Sequence, residues 1–288
     1  RKKETKTVQE WAFQYMHAPL YLDRYEALTG LADKAKNEMA TQTLITALSD
    51  KFWSLRRKAI EGLQQGQPGH ELEIKNKLIA LSKTDEKSAV RKAAVDFLSA
   101  NYKDDDLQEV YKMALSDKSY TVAGAGLAAI AKVNPKEGLM MAKQFEKKKN
   151  LDMLSSVMEV YGLYGSEANN DFFIKAADHY KGYSKITFII QYGQYLGNIK
   201  DDGTMDSGIA LLTRIASDQN TEKLTAYYAK KEIKALENGL TKRINETAQQ
   251  LKTVDPAHAS DESKALEAKL EKEKLQKQRI MDAYNSIK

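Results

Sequence analysis

Apolar residues recur along this chain at helical spacing, and the same arrangement returns at a fixed interval. Residues 49–63 read SDKFWSLRRKAIEGL and residues 84–98 read TDEKSAVRKAAVDFL. Leu55, Ala59, Ile60 and Leu63 are spaced by 4, 1 and 3, and so are Val90, Ala94, Val95 and Leu98. That spacing lines one face of an α-helix. Each copy also places an Asp second and an Arg eighth. A third copy at 116–130 keeps Ser116, Asp117, Lys118, Val122 and Ile130, with Ala123 where Arg would stand. A weaker copy at 17–31 places Leu22, Arg24, Ala27, Leu28 and Leu31 in frame. The starts at 17, 49, 84 and 116 are separated by 32, 35 and 32 residues. A period in the thirties without a strand pattern predicts stacked helical hairpins.

Between the copies, apolar spacing predicts second helices over about 37–48, 71–82 and 105–115. Ser49 and Thr84 are the expected N-caps of the helices that follow them. Gln67-Pro68-Gly69 reads as a turn, and Asn134-Pro135 opens a helix over about 135–147. Past 147 the frame decays. Helices are still expected over about 150–164, 167–181, 184–197, 205–217 and 221–237. YGLYG (161–165) and QYGQYLG (191–197) read as helix ends where glycine permits close packing. Asp255-Pro256 breaks the chain before a charged helix over about 260–287, whose apolar residues hold no steady heptad. That helix reads as a terminal cap with a polar outer face. The expected organisation is a lead-in and first helix at 1–16, a repeat array at 17–237 and C-terminal capping helices at 238–288.

The repeated Asp and Arg lie six residues apart, at the inter-helix turn and on the second helix. At this unit length they resemble the HEAT repeat over about 17–132. The fold class this implies is an all-α, HEAT/armadillo-like superhelix, a solenoid of antiparallel helix pairs. The resemblance also implies a ladder in which Asp of one unit bonds Arg or backbone of the next. Its expected members are Arg24, Asp50, Arg56, Asp85, Arg91 and Asp117. Arginine suits such a place because its planar fork serves two acceptors.

Composition narrows the chemistry. With 288 residues, 42% hydrophobic and 30% charged, the chain can bury a substantial core. A net charge of +5 among 45 basic and 40 acidic residues is no nucleic-acid signature by itself. The absence of cysteine excludes disulfides and thiolate metal sites. No apolar run approaches the ~20 residues of a membrane span. The chain opens on RKKETK rather than Met, and reads as a segment of something longer.

Candidate chemistry is sparse. His70-Glu71 begins like a zinc-peptidase helix, but Ile74 stands where the second His belongs. Glu71 and Glu73 then read as partners of a helix N-terminus. His17, His179 and His258 have no second ligand at metal spacing. Asp201-Asp202-Gly203 with Asp206 fails the calcium-loop pattern and reads as a turn before a helix. Gly124 and Gly126 read as close-packing positions. Basic clusters at Arg56-Arg57-Lys58, Lys147-Lys148-Lys149 and Lys230-Lys231 could serve DNA, although Lys147 to Lys149 also suit a helix C-terminus. Trp11, Trp53 and Tyr120 are expected in core or cap positions. No catalytic, cofactor-binding or metal residue is assigned.

One stretch is distinctive: EWAFQYMHAPLYLDRYEAL at 10–28. Through Gln14, Tyr15, Ala18, Asp23, Arg24, Glu26, Ala27 and Leu28 it resembles the start of the C-terminal helical region of bacterial aminopeptidase N-like zinc metallopeptidases, particularly the Bacteroidetes type. Trp53, Arg56 and Ala59 fit the same array. The family's H-E-x-x-H helix and amine-binding loop are absent here, so no catalytic role transfers. The resemblance implies a non-catalytic domain that packs on an upstream peptidase domain of the same chain and restricts access of peptide substrates. Zinc would then lie in that upstream domain, and the protein would be periplasmic or exported; otherwise it is cytoplasmic. The alternatives are a free-standing scaffold for a protein partner and a basic helical-repeat DNA binder.

Overall fold

Helix formation starts with a reciprocal cap at Thr7. Its hydroxyl accepts the Glu10 amide at 3.2 Å, and the Glu10 carboxylate accepts the Thr7 amide at 2.7 Å. The computed structural model describes residues 6–63, 69–254 and 260–287, and every regular element in them is helical. In chain order these are α1 (Val8–His17), α2 (Tyr21–Ala32), α3 (Glu38–Ala47), α4 (Trp53–Gly62), α5 (Glu71–Thr84), α6 (Ser88–Asn101), α7 (Gln108–Leu115) and α8 (Tyr120–Val133). Then follow α9 (Pro135–Phe145), α10 (Leu151–Tyr164), α11 (Asn170–Ala176), α12 (Gly182–Asn198), α13 (Asp202–Ser217), α14 (Lys223–Thr253) and α15 (Ser260–Ser286). Short 3-10 turns precede α7 and flank α11. The expected breaks at Gln67-Pro68 and Asp255-Pro256, and His258, lie outside the described residues.

The helices group into two compact units, residues 1–156 and 157–288. The division falls within α10, and the expected boundary at 237 falls inside α14. In the first unit α2, α4, α6 and α8 pack in succession, while α1 packs on α3 and α5 on α7. The apolar stripe found in the sequence forms the core: Leu28, Leu55, Ala59, Val90, Ala94, Leu98 and Val122 are fully buried. Burying each large side chain contributes about 1.5–3 kcal/mol. Leu22 departs from expectation and is 72% exposed. Asp23, one residue on, occupies the position of Leu55 in the frame.

Helix starts also differ from the sequence reading. The N-cap positions of α4 and α6 are Phe52 and Lys87, not Ser49 and Thr84. The repeated Asp explains the shift. Asp50 accepts the Phe52 amide at 2.8 Å, Asp85 the Lys87 amide at 2.9 Å, and Asp117 the Ser119 amide at 2.8 Å. Each carboxylate forms an Asx turn that sets the chain up to enter the helix. Asn134 caps α9 as expected, through the Glu137 amide at 3.2 Å. Lys147 to Lys149 do not end that helix but follow it, in the turn before α10.

The second unit is built around rings. Phe173 stacks on Tyr195 and Tyr192, with centroids 4.6 and 5.0 Å apart, and Phe188 stacks on Tyr192 and Tyr180. Tyr192 donates to Asn170 and Tyr195 to the Ser166 carbonyl, both at 2.8 Å. QYGQYLG forms the last two turns of α12, as expected. The long α14 packs against α12, α13 and α15. Ile280 and Ile287 of the terminal helix are buried, whereas Leu275 is exposed.

Candidate interaction surface

The recurring Asp and Arg come together in three rungs. Arg56 donates from Nε and Nη2 to both carboxylate oxygens of Asp85, at 2.6 and 2.8 Å. Its Nη1 reaches back to the carbonyl of Asp50 at 2.8 Å. Arg91 repeats this, with both Asp117 oxygens at 2.7 and 2.8 Å and the Asp85 carbonyl at 2.8 Å. Arg24 makes a single bond, to Asp50 at 2.9 Å. Each Arg thus meets the Asp of the unit after it, the reverse of the polarity expected from the sequence. The Arg91 fork holds the Asp117 carboxyl below the ordinary carboxylate range, and the hydrogen bonds to Asp85 raise the already high pKa of Arg56.

Sequence reasoning missed the partner that completes the first rung. Tyr15 donates its hydroxyl to Asp50 at 2.9 Å, and burial, followed by this bond, pushes its pKa up. Arg24 lies over the Tyr15 and Phe52 rings, at 5.9 and 5.4 Å from their centroids. Gln14 donates to the Asp23 carbonyl at 2.7 Å and to Glu26 at 3.1 Å. Much of the distinctive 10–28 stretch therefore ties α1 to α2 and to the next hairpin. No such rung follows Asp117. With Ala123 in the Arg position, close approach takes over: a Cβ at Gly126 would sit 2.4 Å from the Leu115 nitrogen.

Other candidates have structural partners. His70 meets Glu38 of the preceding hairpin at 2.8 Å, which raises its pKa. Glu71 and Glu73 lie in the first turn of α5. His17 packs against Phe13, and His179 pairs with the Lys175 carbonyl at 3.1 Å. Asp201 caps α13 through the Thr204 amide at 2.7 Å. Asp202 accepts from Gln276 at 3.1 Å and Asp206 from Arg279 at 2.8 Å, joining α13 to α15. Lys230 bonds the Ile287 carbonyl at 3.1 Å, and Lys231 lies over Tyr228. Trp11 packs against the core, but Trp53 and Tyr120 are exposed, contrary to expectation. They are the first residues of α4 and α8. Among the described residues no cluster of His, Cys, Asp or Glu could hold a metal ion, and no helix is long and apolar enough to cross a membrane.

The exposed faces of α4 and α6 form a groove of about 490 Å³. Ile60, Ala89, Ala93, Phe97 and Ala100 supply its apolar surface. Arg57 pairs with Glu61 at 2.7 Å and Lys92 with Asp96 at 2.5 Å along its sides. Its cations therefore already have carboxylate partners one helical turn away. The groove offers apolar contact bordered by paired charge.

Residues 41–131 match the family model of HEAT repeats. No curated protein matches the sequence. Among solved structures, a chain from the complex of CpcE and CpcF of phycocyanin lyase from Nostoc sp. PCC7120 is similar. It has 16% identity and a TM-score of 0.50, with 82% of this chain and 97% of that one covered. Kap121p bound to Nup53p is similar at 12% identity with a TM-score of 0.55, with 96% of this chain covered. The chain spans about a third of Kap121p, 33% of that chain. The fold is all-α and HEAT/armadillo-like, built from antiparallel helix pairs.

Proposed function

We propose that this chain is a non-catalytic helical-repeat scaffold that binds a protein partner along the exposed face of α4 and α6. The groove carries the reading: an apolar floor with charges already paired suits a protein segment better than a phosphate backbone. The two solved structures named above are complexes between proteins, CpcE with CpcF and Kap121p with Nup53p, which supports it. The DNA-binding reading is weakened by the same pairing and by the packing of Lys230 and Lys231 against neighbouring residues.

A narrower reading has its own observation. Phe13, Met16, Leu20 and Leu22 are 58–72% exposed on the first hairpin, whereas the end of a repeat array ordinarily presents a polar outer face. Together with the resemblance at 10–28, this supports docking of that hairpin against a zinc-peptidase domain of the same polypeptide. A photo-crosslinking residue at Ala93 or at Phe13, in the native gene product inside cells, separates the two. A discrete intermolecular adduct from Ala93 supports the partner-binding scaffold. An intramolecular adduct from Phe13 to a peptidase domain supports the narrower reading. Adducts from neither position contradict both.

A further inference from the structure

Several helical glycines have an internal reason. A Cβ at Gly138 would lie 2.3 Å from Ala131 Cα, and one at Gly208 would lie 2.3 Å from a Leu196 methyl. Gly239 has no such reason: it is inside α14, and a Cβ there would meet nothing within 4 Å. Gly197 in α12 is nearly as open, with one Leu236 methyl at 4.0 Å. Neither has a positive φ. Glycine at such positions destabilises a helix relative to alanine, so its presence calls for another backbone to come close.

Both glycines line one groove of about 580 Å³ between α12 and α14, within the second unit. Along α14 the groove carries Glu232, Leu236, Gly239 and Arg243. Spacings of 4, 3 and 4 keep these on one helix face, with the two charges roughly 16 Å apart. Among the described residues neither Glu232 nor Arg243 has a hydrogen-bonding or salt-bridge partner for its side chain. Burial pushes the Glu232 carboxyl up, and Lys231 beside it in sequence offsets this only in part. An acid and a base at opposite ends of one helix face make that face complementary to itself in the antiparallel sense.

We infer that this groove docks a second copy of the chain, α14 against α14, about a two-fold axis near Glu237 and Asn238. Glu232 of each copy then faces the partner's Arg243, and the exposed Ala235 and Gly239 let the two helix backbones approach closely. Leu236 and Leu240 stay buried within each copy, so no like charges meet between the two ends. A two-fold interface requires this kind of self-complementary patch. The surface is separate from the α4 and α6 groove and does not depend on its occupant.

Sedimentation equilibrium of the full chain tests the inference. The expected result is a dimer, weakened roughly tenfold or more by Glu232→Arg alone or Arg243→Glu alone, and restored by the double reversal. Gly239→Leu should retain the helical circular dichroism and melting temperature of the monomer yet abolish pairing. A chain still monomeric at roughly 100 µM overturns the proposal and leaves the groove to a helix of another protein. Single reversals that leave association unchanged overturn it as well.

Discussion

The two units hold their helices together by different means. The first repeats a polar device, in which Arg56 and Arg91 each grip the Asp of the following hairpin with both arms of the fork. The second has no such repeat. It relies on a cluster of rings around Phe173 and on a long helix that packs against three others. A polar rung fixes register because only one neighbour geometry satisfies both oxygens and the backbone carbonyl. A ring cluster contributes more through burial and demands less of the sequence spacing. That difference accounts for a regular repeat in one half and an irregular one in the other.

The largest way to break the contrast is in the ring cluster. Phe173→Ala should cost about 3–5 kcal/mol, read from urea unfolding, because the fully buried ring leaves a cavity among Phe188, Tyr192 and Tyr195. Arg56→Ala and Arg91→Ala should each cost about 1–3 kcal/mol, since the buried Asp85 and the largely buried Asp117 lose their charged donors. Arg24→Ala should cost less than either, because Tyr15 still serves Asp50. Tyr15→Phe should lower stability by about 0.5–1.5 kcal/mol by deleting one hydrogen bond. Equal costs for Arg24 and Arg56 would contradict the account of the first rung.

The smallest effect is pH-dependent. His70 has a pKa raised above 6.5, chiefly by its hydrogen bond to Glu38. Its stabilising contribution is present in full below the unfolded-state value and is lost as pH rises through the raised one. The melting temperature of the native chain, relative to His70→Ala, should therefore fall between about pH 5.5 and pH 8. A constant difference across that range would remove the His70–Glu38 link from the list of working contacts.

Legibility followed the same division. In the first unit, period and frame located the helices and the residues of the rungs, because each copy restates them. The polarity of the rungs was not legible: spacing alone does not say whether an Arg reaches forward or back. Tyr15 was missed for a related reason, since it lies outside the repeated line and meets Asp50 from 35 residues away. The Asx turns were hidden behind the more familiar capping roles of Ser49 and Thr84. In the second unit, the extension of α14 to Thr253 exceeded the expected end at 237. Gly239 lies inside the helix rather than ending it, and the stop that fits the longer end is Pro256, three residues past Thr253 in the sequence. The α4 and α6 groove left no motif at all, because it is made of alanines and paired charges from two helices far apart in sequence.

A double-mutant cycle on Arg56 and Asp85 measures the central claim, that an arginine of one hairpin docks the next by gripping its turn. Arg56→Ala, Asp85→Ala and the double variant would be unfolded in urea alongside the native chain. The account predicts a coupling of about 1–3 kcal/mol, with the double variant far less destabilised than the sum of the singles. Costs that simply add, in variants that all fold cooperatively, would show that the two residues act separately and would contradict it.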